Sequence, residues 1–109
     1  MGTTKTEQYS TQQLELAAIA KALAHPARIA ILEHLMNSES CVCGEIVSEV
    51  GLAQSTVSQN LKELKQEGII KGNIEGTSVC YCIDAERWAA IKNELENFIS
   101  NINQHCYCC

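Results

Sequence analysis

Cysteine is the residue type whose number and spacing point most directly to chemistry in this sequence. The 109 residues include seven cysteines, in three groups: Cys41 with Cys43, Cys80 with Cys82, and Cys106 with Cys108 and Cys109. An odd number argues against a closed set of disulfides. Thiolates bind soft metals and metalloids and react with oxidants. The sequence therefore predicts thiol or metal chemistry.

The composition predicts a cytoplasmic globular chain with no membrane partner. The segment from Met1 to Ser10 is polar and lacks the apolar core of a signal peptide. No window of the sequence approaches the run of about 18 apolar residues that a membrane span needs. In the reducing cytoplasm structural disulfides are rare, so we expect the cysteines to act as thiols or as metal ligands.

The three cysteine groups differ in their predicted surroundings. Cys106, Cys108 and Cys109 follow the last predicted helix in a polar tail, where core packing does not explain them. We expect them to be metal or metalloid ligands, and an incidental or redox-labile tail is the alternative. Cys80 and Cys82 alternate along a predicted strand and share one face. Buried cysteine behaves as a small apolar residue, so we expect these two to pack within the hairpin.

The chain divides into a flexible tail over residues 1–9, one folded domain over residues 10–103 and a Cys-rich tail over residues 104–109. Helix-capping residues, glycine stops and apolar periodicity define the elements of the domain. The predicted helices cover about residues 11–24, a stretch beginning at Pro26, a short stretch from about Cys41–Cys43 to Gly51, residues 53–67, and a stretch from the Asp84 cap to about residue 103. The predicted strands cover residues 69–74 and 79–83 and form a hairpin.

The third and fourth predicted helices, with the hairpin after them, form the pattern of a winged helix-turn-helix. On the fourth helix Val57, Leu61 and Leu64 share one face at 100° per residue. Short polar and basic side chains lie opposite and suit base edges and phosphates. The alternative is an ordinary solvated helix face. We expect double-stranded operator DNA to contact Gln54, Ser55, Thr56, Ser58, Gln59 and Lys62.

The last predicted helix has a heptad-type apolar seam, with spacings of 3, 4, 3 and 4 residues. Such a seam suits a partner helix, and the alternative is an ordinary helix that packs on its own core. We expect a homodimer whose interface includes Leu14, Trp88, Ile91, Leu95, Phe98 and Ile102.

The charge distribution is compatible with DNA binding. The net charge of −5 disfavours non-specific binding to nucleic acid, which depends on cationic side chains. Between Leu52 and Cys82, however, three lysines balance three glutamates, and the acidic excess lies elsewhere. A locally neutral reading surface on an acidic body can still bind DNA. The sequence contains no nucleophile–base pair, paired acids or phosphate loop, so we do not expect an enzyme.

Several motifs in order resemble the ArsR/SmtB family of metal-sensing repressors. They are His25-Pro26-x-Arg28, Cys41-Val42-Cys43-Gly44-Glu45, the segment from Leu52 to Leu64, and Gly68 with the hairpin after it. The resemblance implies a mainly α winged helix-turn-helix of five helices with a two-stranded β-hairpin wing. It also implies a homodimer formed through the first and last helices. Two positions depart from the family pattern: Ala53 replaces the usual Ser cap and Asn60 replaces the usual His.

The same resemblance suggests the effector. In this family Cys-Val-Cys at this position marks the site of arsenite sensors and of cadmium/lead sensors. The third cysteine of one type of arsenite sensor falls on Ile46 here. We therefore expect Cys41, Cys43 and a tail cysteine to bind trivalent arsenic or antimony and to release the operator.

Two other effectors remain open: a Cd(II), Pb(II) or Zn(II) response, and a thiol redox or polysulfide switch. The family's zinc site on the last helix has no match, because Asp84-Ala85-Glu86 lacks its Asp-x-His element. No cofactor is expected to be needed for folding.

Overall fold

The computed structural model describes residues 8–38, 41–43, 46–75 and 78–102. Both predicted tails lie almost wholly outside these ranges. The helices are α1 (Thr11–Leu23), α2 (Pro26–Met36), α3 (Ile46–Val50), α4 (Gln54–Gln66) and α5 (Ala85–Ser100), and the strands are β1 (Val42–Cys43), β2 (Ile70–Glu75) and β3 (Ser78–Ile83). Within the described part of the chain, no helix has the length and apolar character needed to cross a membrane.

Side-chain caps define where three of the helices begin. Ser10 and Gln13 form the predicted capping box, because the Gln13 amide donates to Ser10 Oγ (3.0 Å) and the Ser10 amide donates to Gln13 Oε1 (2.9 Å). His25 caps α2 by accepting the Ala27 amide at Nδ1 (3.0 Å), directly before Pro26 at the first helical position. Asp84 caps α5 by accepting the Arg87 amide. Local sequence therefore fixes these three starting points.

Glycine ends the two helices of the helix-turn-helix, as predicted. Gly51 follows α3 with a φ of 70°, and Gly68 follows α4 with a φ of 77°. L-residues with a side chain rarely adopt this left-handed conformation. Gly51 thus lets the chain turn from α3 into α4, and Gly68 lets it turn from α4 into the hairpin.

The sheet corrects two expectations. Its strand order is β1-β3-β2, with both neighbours antiparallel to β3, so β1 adds a third strand to the predicted two-stranded wing. The segment Cys41–Cys43, which we expected to begin a helix, contains β1, and α3 begins three residues later at Ile46. The reason is tertiary: Val42 is buried and pairs with Tyr81 of the central strand. We call β2 and β3 the wing and the full three-stranded arrangement the sheet.

The core lies where α2 and α4 meet the sheet and α5. Val57, Leu61 and Leu64 of α4 are buried together, as their spacing predicts. They join a cluster contributed by the other elements: Ile19, Ala22, Ile31, Leu32, Leu35, Val42, Ile46, Ile69, Ile70 and Ile91. Burial of this apolar face leaves the opposite, polar face of α4 towards solvent.

A serine at position 53 should stabilise the protein. Ala53 is the N-cap of α4, has extended backbone angles and makes no side-chain cap hydrogen bond. Ala53→Ser supplies the missing acceptor and should raise the free energy of unfolding by about 1 kcal/mol, measured by urea denaturation. Ala90→Ser, in the exposed middle of α5, is the matched control and should lower it slightly. Equal destabilisation at both positions would contradict this assignment of the cap.

Candidate DNA interface and cysteine site

The polar face of α4 is accessible along its length. Gln54, Ser55, Ser58, Gln59 and Lys62 are exposed, and Thr56 is half-buried. These are the six residues that the sequence predicted to face DNA. The arrangement supplies hydroxyl, amide and ammonium groups on one helix whose opposite face is anchored in the core, which suits base edges and phosphates.

Arg28 connects α2 to α4. Its Nε donates to Asn60 Oδ1 (2.9 Å), its Nη2 forms an ion pair with Glu63 Oε2 (2.6 Å), and its Nη1 donates to the carbonyl of Ala22 (3.2 Å) and, at 3.4 Å, of Lys21. The Arg28 side chain is only 14% exposed. A planar guanidinium is suited to such simultaneous, directional bonds. Arg28 therefore fixes α4 against the end of α1.

Asn60 is an internal residue. It is 5% exposed, accepts the Arg28 bond and donates from Nδ2 to the Thr56 carbonyl (2.8 Å). Both of its polar atoms are therefore used inside the protein. Asn60 therefore lies on the buried side of α4 and not on its exposed polar face.

The structure brings two of the three cysteine groups together. Cys41, directly before β1, and Cys82, on β3, form a disulfide. Their Cα atoms are 4.6 Å apart, the separation of residues directly opposite each other at a non-hydrogen-bonded position of antiparallel strands. Cys80 is also in a disulfide and is 1% exposed. The backbone of Cys43 lies opposite that of Cys80 in the register.

These positions change the interpretation of the cysteines. Cys80 is buried, as expected for a residue that packs within the hairpin, but both Cys80 and Cys82 are disulfide-bonded and are not free thiols. The pattern of β1 and β3 explains this, because alternate residues of paired strands face each other.

The predicted ligands Cys106, Cys108 and Cys109 lie outside the described residues. Among the residues that the structure describes, no group of three or more His, Cys, Asp or Glu could hold a metal ion.

The apolar seam of α5 divides into an inward and an outward part. Trp88 and Leu95 are half-buried and pack against the core, and Ile91 is 1% exposed. Ile91 has no surface left to bury, which corrects its expected place in a dimer interface. Phe98 is 63% exposed, and apolar surface is also exposed at Leu14, Ile99 and Ile102. The outward part of α5 and neighbouring α1 thus form one exposed apolar surface.

A groove of about 450 Å³ runs between α1 and α5 beside this surface. Its lining includes Gln13, Leu16 and Phe98 as well as the acidic Glu94. Partial desolvation, and next the nearby Glu15 carboxylate, raise the pKa of Glu94. Arg87 Nη1 of α5 lies 3.6 Å from Glu15 Oε1 of α1, so an ion pair links the two helices at this surface.

Comparison with known proteins agrees with this architecture. A family model described as "Bacterial regulatory protein, arsR family" matches residues 25–71, which include the helix-turn-helix. The HTH-type transcriptional regulator YgaV of Escherichia coli is 31% identical over 105 residues, covering 96% of this chain and 98% of YgaV. The chain belongs to the ArsR family. It is a DNA-binding transcriptional regulator and not an enzyme.

Two solved structures support the same conclusion for this ArsR-family chain. The transcriptional repressor BigR of Xylella fastidiosa has a TM-score of 0.62 and 25% identity, with 95% of this chain and all of BigR covered. A homodimeric winged helix-turn-helix DNA-binding domain, Mb0332 of Mycobacterium bovis, has a TM-score of 0.60 and 26% identity, with 89% and 96% covered. Mb0332 thus shares this fold, and it is itself a homodimer that carries a DNA-binding domain.

Sequence reasoning missed the contacts of Arg28 and Glu63 and the pairing of Cys82 with Cys41. Arg28 was noticed as part of a motif, but its bonds to Asn60 and Glu63 span 32 and 35 residues. Asp, Glu and Arg at helical positions are usually solvated, so no local signal marks Glu63. The Cys41–Cys82 pair spans 41 residues. The sequence did contain a signal for this pair, because cysteines alternate with other residues both at Cys41 and Cys43 and at Cys80 and Cys82.

Phe98→Glu should dissociate the dimer and leave the protomer folded, because Phe98 is exposed in the protomer and a charge there opposes burial against a partner. Sedimentation at micromolar concentration should show dimers for the wild type and monomers for the variant. The matched control Ala89→Glu places the charge on an exposed position opposite Phe98. Leu95→Glu should also lower the thermal unfolding temperature, since Leu95 packs against the core. A monomeric wild type would contradict the interface.

Proposed function

We propose that this regulator is a cytoplasmic homodimeric repressor that reads a palindromic operator with α4 and changes its affinity through thiol chemistry at Cys41 and Cys82. The two α4 helices of the dimer would enter successive major grooves about one DNA turn apart. The exposed polar face of α4, held by its buried opposite face and by Arg28, supports this docking. Wing residues then lie beside the DNA backbone.

The observation that carries the thiol switch is the Cys41–Cys82 disulfide. Because the cytoplasm keeps most thiols reduced, disulfides there are usually transient and redox-sensing. Two thiols and one low-molecular-weight disulfide give the protein disulfide and two released thiols, so two electrons pass from the protein to the small disulfide. Reduction by excess thiol reverses the step.

The position of the disulfide links it to DNA binding. Cys41 precedes β1, which leads into α3, and Cys82 lies on the central strand of the sheet, which is also the second strand of the wing. The bond therefore joins the start of the helix-turn-helix to the wing. With free thiols, only the two-residue pairing of β1 with β3 joins the wing to the start of the helix-turn-helix, and this pairing can adjust around a duplex. The disulfide fixes the same pairing covalently. We expect oxidation to weaken operator binding by about 5–150-fold, the usual range of coupling between sites.

A second candidate effector is trivalent arsenic or antimony. The ArsR/SmtB family responds to metal ions, and a soft metalloid prefers thiolates. In the reduced protein, Cys41 and Cys82 would present thiols side by side, and Cys43 and the tail cysteines would be further donors. We propose Cys41 with Cys43 and Cys106, Cys108 or Cys109 as the metalloid ligands, and the Cys41–Cys82 contact supports adding Cys82 to this set. The same thiolates could bind Cd(II), Pb(II) or Zn(II).

The reading face can be tested by two substitutions with different expected effects. Gln59→Ala should relax base preference about tenfold at one position of each half-site, because glutamine pairs with adenine through both of its amide atoms. Lys62→Ala should weaken binding to all sequences alike and reduce the salt slope by about one unit. Both are measured by fluorescence anisotropy on duplexes at several salt concentrations. Wild-type behaviour of both variants would refute the assignment of this face.

The effector can be tested by titrating the reduced protein anaerobically on operator DNA with oxidised glutathione, arsenite, antimonite, cadmium, lead and zinc. If the thiol switch is correct, oxidised glutathione releases the wild type, and Cys41→Ser and Cys82→Ser both bind DNA but no longer respond. Serine retains the size of the side chain and loses the reactive sulfur. The variant with serine at Cys106, Cys108 and Cys109 is the matched control and should respond normally to the oxidant.

The same titration separates the two candidates. If arsenite releases DNA and the oxidant does not, the metalloid candidate is correct and the redox switch is wrong. X-ray absorption at the arsenic edge should then show three sulfur ligands. Loss of one sulfur ligand in the tail variant would show that a tail cysteine binds arsenic. Loss of one sulfur ligand in Cys82→Ser would show that Cys82 binds it.

A further inference from the structure

Glu63 links the partly buried Arg28 to a predicted DNA-reading side chain. Its Oε2 accepts from Arg28 Nη2 (2.6 Å), and its Oε1 accepts from Gln59 Nε2 (3.1 Å). Each oxygen of the Glu63 carboxylate thus accepts a hydrogen bond from a side chain. Arg28 is held in turn by Asn60 and by the carbonyl of Ala22, so a continuous set of bonds runs from the end of α1 to Gln59.

A carboxylate on the DNA-reading helix needs such a partner. Uncompensated, the negative charge of Glu63 would repel the phosphates of a duplex in the adjacent groove. The ion pair with Arg28, whose side chain is 14% exposed compared with 42% for Glu63, offsets that repulsion. Charge-assisted bonds to a guanidinium are also directional. Glu63 can therefore remain beside the DNA as an oriented acceptor.

The bond from Glu63 determines how Gln59 presents its amide. One of the two Nε2 hydrogens is directed to Glu63. The other hydrogen and Oε1 remain for DNA. Glutamine recognises adenine by donating to N7 and accepting from the N6 amino group, which requires the nitrogen and oxygen ends in a fixed order. An exposed glutamine without a partner would rotate freely and pay conformational entropy on binding.

We propose that Arg28 and Glu63 are positioning residues that set the base preference of Gln59 for adenine in the major groove. The proposal rests on the proposed function in that α4 must read duplex DNA. Arg28 holds Glu63, Glu63 orients the Gln59 amide, and the amide contacts the base. Neither Arg28 nor Glu63 needs to touch the base itself.

The test is a selection from a pool of random-sequence duplexes by the reduced wild-type protein and by Gln59→Ala, Glu63→Ala and Arg28→Lys. Glu96→Ala, on the exposed surface of α5, is the matched control for Glu63→Ala. We expect Gln59→Ala to lose a preference of about tenfold for adenine at one position of each half-site. Glu63→Ala and Arg28→Lys should lose most of it at the same position, and the Gln59→Ala/Glu63→Ala double variant should lose no more than Gln59→Ala alone.

The other outcomes are equally decisive. Retention of the adenine preference by folded Glu63→Ala, while Gln59→Ala loses it, overturns the proposal and leaves the reading role of α4 intact. Loss at a different position overturns it as well, as does a Gln59→Ala profile identical to wild type. A wild-type protein that selects no sequence refutes the proposed function instead. If Arg28→Lys is unfolded by circular dichroism, Glu63→Ala decides the question, because the Glu63 side chain is 42% exposed and contributes little to the core.

Discussion

Burial of one face of α4 is the constraint on which the rest of the structure depends. Val57, Leu61 and Leu64 are removed from water against α2, the sheet and neighbouring core residues. Each such side chain contributes about 1.5–3 kcal/mol when fully buried, so rotating the helix would cost several of these contributions at once. The hydrophobic effect is not directional, however. The bonds of Arg28 to Asn60 and Glu63 supply the direction, and together the two interactions leave the polar face of α4 exposed at a defined angle.

The sheet connects the cysteines to this recognition helix. A two-stranded wing could move separately from the helix-turn-helix, but β1 pairs with the central strand β3 immediately before the chain enters α3. The Cys41–Cys82 bond reinforces this pairing covalently. The thiol chemistry that we propose at Cys41 and Cys82 would therefore act on strands that are joined directly to the helix-turn-helix.

The last helix serves both the protomer and the predicted dimer. Ile91 faces the core of its own chain, whereas Phe98, about two turns later, is exposed beside α1. The 3–4 spacing of apolar residues describes a stripe that continues along the helix, but the protomer core covers this stripe only as far as Leu95. The remaining apolar residues of the stripe, Phe98 and Ile102, are exposed in the protomer, which is why we expect a partner surface to cover them.

The sequence by itself determined the features that depend on neighbouring residues. These include the capping box at Ser10, the Pro26 start of α2, the glycine ends of α3 and α4, and the amphipathic character of α4. Each follows from backbone conformations and hydrogen bonds within about four residues. The motif pattern further indicated the ArsR family, and the periodicity placed the polar residues of α4 opposite its buried face.

Tertiary structure decided the features that depend on distant residues. The segment of Cys41 and Cys43 contains a strand because Val42 pairs with Tyr81, 39 positions away, although its position before α3 favours a helix locally. The same pairing places Cys41 against Cys82, and packing of α2 on α4 turns Asn60 inward to Arg28. Periodicity assigns a residue to a face of its own element. Which neighbouring element covers that face is decided by the packing of the whole chain.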